Sequence, residues 1–221
     1  MHYDINKSPE GQSVLALLRS VVPRRRLQYA EALRVAELQA NRLLEVMGVG
    51  EWPVPSEVVT ELPRLRVELR DLPASGLSFW DGQAWVVYLN GAEASTRQRF
   101  TLLHEFKHIV DHGRADRLYT GNGRLNSDEQ AEQVADFFAG CVLMPKRLIK
   151  RAWGEGRQRP RVLAAMFDVS PRAVEFRLAQ LGLTLPRLRC SPVSDVHYKL
   201  RSKHAYLRQL PSISTLQGVA G

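Results

Sequence analysis

The sequence predicts an α+β fold: a small antiparallel or mixed sheet packed on helices, followed by a helical, helix-turn-helix-like C-terminal segment. Three observations predict it. Apolar residues recur at helical spacing over 27–48, 95–112 and 128–145. Between the first two stretches, residues 64–90 change to the alternation of half-buried strands. Beyond 150, a pair of short helical patterns returns with a capping serine between them.

Taken in order, residues 1–26 read as a loose arm ending in Pro23-Arg24-Arg25-Arg26. Leu27, Ala30, Leu33, Ala36, Leu38, Leu43, Leu44 and Met47 mark a long amphipathic helix stopped by Gly48. Pro53 and Pro55 mark a loop, after which Ser56 is placed to cap a short helix reaching Leu62. Arg64 to Arg70 alternates strictly, as a half-exposed strand does. Leu77–Trp80 and Gln83–Asn90 flank Asp81-Gly82, which suits a tight hairpin turn, and Trp80, Trp85 and Tyr88 are expected to pack within the sheet. The next helix covers about 95–112, with His112 in its basic last turn and Gly113 at its cap.

A Gly/Asn-rich loop over 113–127 leads into the helix of Glu132, whose apolar side carries Ala131, Val134, Ala135, Phe138, Ala139, Val142 and Leu143. Val162 to Leu183 resembles a helix-turn-helix: one helix ends near Phe167, Ser170 caps the next and Pro171 opens it. Arg172 and Arg177 on that second helix are candidate DNA or partner contacts. The expected division is therefore an arm at 1–26, a core at 27–150, helix-turn-helix-like helices at 151–190, and a basic, partly disordered tail at 191–221.

At 221 residues the chain is long enough for one full core and a smaller appended unit. No apolar run approaches a membrane span, and the N-terminus lacks an export signal, so a cytoplasmic protein with no membrane partner is expected. Two cysteines, Cys141 and Cys190, make neither a disulfide framework nor a zinc knuckle. Charge is unevenly placed. From Lys146 onward there are fifteen Lys+Arg against four Asp+Glu, whereas the first 145 residues hold sixteen against nineteen. The net +8 thus resides in the C-terminal third, which points to nucleic acid or an acidic partner.

The chemistry centres on His104-Glu105-Phe106-Lys107-His108. Histidines four apart project from one helix face, so both imidazoles reach one metal ion, with Glu105 beside them to act on a water. Phe100, Leu103, Phe106, Ile109 and Val110 mark this helix as mostly buried. A hydrolytic site of this type needs a third ligand and an open fourth position. Glu132 lies beside the apolar stripe of its helix and is the favoured ligand; Asp136, one turn on, is placed to orient one. Glu129 and Asp128 read as a solvated face. His112 continues the same straight helix too far for one tetrahedral ion, which leaves it a supporting role. Tyr119, in the connecting loop, is a candidate donor to an oxyanion.

These residues carry a family resemblance. Asn90, Arg97 to His108, Glu132-x-x-Ala135-Asp136-x-Phe138-Ala139 and Leu143-Met144-Pro145 resemble the ImmA/IrrE family of metallo-endopeptidases, over roughly Arg34 to Leu183. The resemblance implies a zincin-like peptidase core, zinc as the ion with manganese as the alternative, and a helix-turn-helix repressor as protein substrate, cleaved to release stress-response or mobile-element genes. It makes His104, His108 and Glu132 the metal ligands and Glu105 the catalytic base. Relatives commonly end in a helix-turn-helix-like segment packed on the peptidase. The alternative is a DNA-binding regulator with a structural metal site. Lys107 departs from the family pattern, which has a small residue there.

Overall fold

The computed structural model describes residues 13–183. Helix α1 (Val14–Ser20) lies inside the segment expected to be a loose arm. Ser13 caps it, its Oγ accepting from the Ala16 N–H at 3.2 Å, and Leu18 is fully buried. Helix α2 (Tyr29–Val46) opens with a capping box between Gln28 and Glu31. Its buried face is Ala32, Val35, Ala36, Gln39, Ala40, Leu43 and Leu44, rotated from the expected stripe, and Leu38 is exposed. Alanines carry little hydrophobic signal, yet three of them spaced by four make the ridge that lets a neighbouring helix approach. Helix α3 is only Glu57–Thr60, and Ser56 has helical backbone angles, so its hydroxyl makes no cap.

Strands β1 (Leu65–Arg70), β2 (Gly76–Trp80) and β3 (Trp85–Asn90) form one mixed sheet in the order β1-β3-β2. β1 runs parallel to β3, with Val67 opposite Val87, and β2 runs antiparallel, with Ser78 opposite Val87. The hairpin connection is longer than the two-residue turn expected of Asp81-Gly82. Asp81 Oδ1 accepts from the N–H groups of Gln83 and Ala84 at 2.8 and 2.7 Å, which fixes a four-residue loop, and Gly82 takes the positive φ of 100°.

Helix α4 (Ser95–Asp111) lies across the sheet face formed by Val87 and Leu89. Gly76 permits this approach: a Cβ there would lie 2.6 Å from Thr101 Cγ2 and 2.9 Å from the Tyr88 carbonyl oxygen. Short α5 (Ala115–Leu118) interrupts the expected loop before α6 (Ser127–Leu143). Asn126 and Glu129 make a capping box at the start of α6, so Glu129 spends its carboxylate on the Asn126 N–H, 2.9 Å away. α6 packs against α4 on one side and α2 on the other, where the Tyr29 hydroxyl donates to Gln133 Oε1 at 2.6 Å.

Helices α7 (Lys146–Gly154), α8 (Pro160–Phe167) and α9 (Pro171–Gln180) follow. Ser170 Oγ caps α9 by accepting from the Ala173 N–H at 3.2 Å, as the sequence predicts. Leu163, Phe167, Val174 and Leu178 join the buried cluster that contains Val142, Leu148 and Ile149. Asp168, at a φ of 51° between α8 and α9, pairs with Arg99 of α4 at 3.2 Å. Among the described residues no helix is long and apolar enough to cross a membrane. Cys141 is a buried free thiol; Cys190 and the expected basic tail lie outside the described residues.

Candidate metal centre

The site forms where the middle of α4 crosses the first half of α6. His104 and His108, one turn apart, bring their Nε2 atoms within 3.1 Å of each other. Glu132 reaches across from α6, with Oε2 3.4 Å from His104 Nε2 and Oε1 3.2 Å from His108 Nε2. Atoms bonded to one tetrahedral ion at about 2.0–2.2 Å lie roughly 3.3–3.6 Å apart. The three separations fall at or just below that range, so this donor set fits one small divalent cation. Among the described residues these three are the His/Cys/Asp/Glu group close enough to hold an ion.

Asp136, one turn beyond Glu132, holds His104 from behind, its Oδ1 2.8 Å from Nδ1. A proton kept on Nδ1 by that carboxylate would leave the Nε2 lone pair to a cation at the centre. Burial opposes charge on His104, but hydrogen bonds to Asp136 and Glu132 overcome it and raise its pKa to about 10. Glu132 also pays a desolvation penalty, yet contacts with His104 and His108 hold its carboxyl well below the usual carboxylate range. Two carboxylates beside two imidazoles thus demand positive charge, as protons or as a cation.

Glu105 reaches the sheet. It follows His104 by one residue and is half-buried against the sheet, where Ser78 of β2 donates its Oγ hydrogen to Glu105 Oε2 at 2.9 Å. Among the described residues β2 has no strand on its outer side. The carboxylate of the residue after His104 therefore meets the outer strand of the sheet. Ser78 escaped the sequence reading. Its signal is the polar or small series Gly76, Ser78 on the helix-facing side of a strand whose other side is Leu77 and Phe79.

The family model of the peptidase M78 group, an IrrE N-terminal-like domain, matches residues 65–179. The chain belongs to this family. A solved structure, a Mycobacterium tuberculosis transcriptional regulator, shares the fold with a TM-score of 0.57 at 19% identity, covering 80% of this chain. This chain spans 54% of that protein. No curated protein matches the sequence.

Tyr119, Lys107 and Arg177 of this M78-family chain are all buried. Tyr119 is buried, and its hydroxyl donates to Asp111 Oδ2 instead of opening onto the cleft. Asp111 also takes the ammonium of Lys107, which is 0% exposed and turned into the core. Burial lowers the Lys107 pKa against the pull of Asp111, and burial with the adjacent Asp111 carboxylate pushes the Tyr119 phenol well above its ordinary value. Arg177 is 2% exposed; its Nε donates to the Met144 carbonyl at 3.2 Å and its Nη1 to Gln180 Oε1 at 3.1 Å. It cannot contact DNA from there, because the guanidinium closes the exit of α6 against α9. Arg172 is exposed, and His112 lies on Trp85 with ring centroids 4.9 Å apart.

Proposed function

We propose that this protein is a cytoplasmic, zinc-dependent endopeptidase acting on a protein substrate, and that the substrate is a helix-turn-helix repressor. The observation that carries the reading is the joint placement of a tetrahedrally spaced His104–His108–Glu132 set and of Glu105 tied to a free strand edge. A purely structural metal site has no use for that second carboxylate.

His104, His108 and Glu132 would hold the ion, and Asp136 orients the first of them. Bound zinc supplies Lewis acidity and lowers the pKa of a coordinated water to about 7; manganese is the alternative, because imidazole and carboxylate suit several divalent ions. Glu105 takes the proton of the attacking water and returns it to the leaving amine. Ser78 holds that carboxylate toward the sheet edge. The substrate chain lies extended along β2 and pairs with it through backbone hydrogen bonds.

The repressor as substrate rests on family membership and on the basic C-terminal third, which suits a partner seated on DNA. The competing reading, a DNA-binding regulator with a structural metal, loses one of its two candidate contacts to the core in Arg177. Glu105→Gln should abolish cleavage of a helix-turn-helix repressor substrate, while zinc content by elemental analysis and the melting temperature stay close to wild type. Loss of metal in that variant would make Glu105 a ligand and remove the assigned base.

A further inference from the structure

The helix-facing side of β2 carries Gly76, Ser78 and Trp80, and it tracks α4 in step. Gly76 meets Thr101, Ser78 meets Glu105, and beyond Trp80 its cross-strand partner Trp85 meets His112. Trp80 and Trp85 lie edge to face with centroids 5.6 Å apart, and Trp85 and His112 repeat that geometry at 4.9 Å. The stack is not closed: Trp80 is 44% exposed and His112 is exposed as well. Trp80 thus leaves an exposed indole two residues along β2 from Ser78, which holds Glu105, on a strand whose outer side has no partner among the described residues.

We propose that Trp80, Trp85 and His112 form a subsite for a large apolar side chain, aromatic above all, of an extended peptide on β2. The proposal rests on β2 being the substrate edge, as read above. Side chains of a strand paired with β2 share the face of the β2 residue they oppose. A peptide residue opposite Ser78 faces Glu105, and the residue two places along, about 6.7 Å away, faces Trp80. An aromatic ring there continues the edge-to-face series.

Two measurements test it. Zinc-loaded full-length protein is incubated with a mixture of peptides from a digested proteome, and cut sites are aligned by mass spectrometry. Phe, Tyr, Trp, Leu or Met should be enriched at one fixed position two or three residues from the cut; Trp80→Ala should lose that enrichment and Trp80→Phe should keep it. Separately, Glu105→Gln protein is titrated with fluorescein-labelled alanine/serine decapeptides that differ in a single central Phe. The Phe peptide should bind about tenfold tighter, and the difference should vanish when Trp80→Ala is added. Enrichment of Lys or Arg, no enrichment, or equal binding of the two decapeptides overturns the subsite. If no peptide is cut but the Phe preference persists and needs Trp80, the subsite stands and the peptidase reading falls.

Discussion

Lys107 stands one residue before His108, yet its ammonium lies in the core against Asp111, which also receives the Tyr119 hydroxyl. This buried trio joins the last turns of α4 to the segment after α5, which carries the chain toward α6. Lys107→Ala leaves the Asp111 carboxylate buried without its cation and should destabilise the fold by about 3–5 kcal/mol in urea titrations. Lys107→Met combined with Asp111→Leu should recover most of that loss, since an apolar pair of similar volume removes the orphaned charge. A single variant as stable as wild type would show the pair contributes nothing. The site itself was legible at this scale: the His104/His108 spacing and the position of Glu132 beside an apolar stripe identify the three residues that the fold brings together. The trio was not. A lysine among apolar neighbours reads equally as an outward or an inward residue, and only the partner four positions on, together with a tyrosine from another segment, decides its direction.

Among the elements, α1 shows how a short, weakly patterned helix comes to hold α4, which carries the histidine pair. Arg19 donates through Nη2 to the Ile109 carbonyl at 2.8 Å and through Nε to that of Val110 at 3.1 Å, placing a cation at the C-terminus of α4. Arg19→Ala should lower stability by about 1–3 kcal/mol and raise hydrogen exchange in the last turn of α4. Unchanged exchange there would leave Arg19 a surface residue. At the start of α2, the Arg25 guanidinium and then the Gln28 N–H lower the pKa of Glu31 to about 2. A depressed folded pKa gives stability that is present above the unfolded value of about 4.3 and is lost as pH falls through 2. The stability difference between wild type and Glu31→Gln should therefore shrink from pH 5 to pH 2; a constant difference would remove the linkage. Most elements were legible because their periods differ: strict alternation found β1, and Ser170-Pro171 placed the start of α9. The face of α2 and the existence of α1 were not, because alanine ridges and a seven-residue helix carry little hydrophobic contrast and acquire their structure from what they pack against.

For the whole molecule, the decisive asymmetry is charge. The net −3 of the first 145 residues contains the candidate site, and the positive excess follows it in sequence. Part of that excess is structural, as Arg177 shows, so the cations available to a partner are fewer than the count suggests. Beyond Leu185 there remain six Lys+Arg against one Asp, still a strong cationic segment. Under the proposed function such a segment would act on association, drawing in a protein substrate bound to DNA, and its pull would weaken as salt screens it, with a Debye length of about 10 Å at 0.1 M. Removing residues after Leu185 should raise the KM for a repressor–DNA complex several-fold at low salt. It should leave kcat unchanged and cleavage of a short neutral peptide unaffected. Raising the salt should erase the difference between full-length and truncated protein. Equal KM values for both forms at low salt would mean that the segment recruits nothing. A fall in the thermal midpoint of the truncated protein would instead make the segment part of the fold.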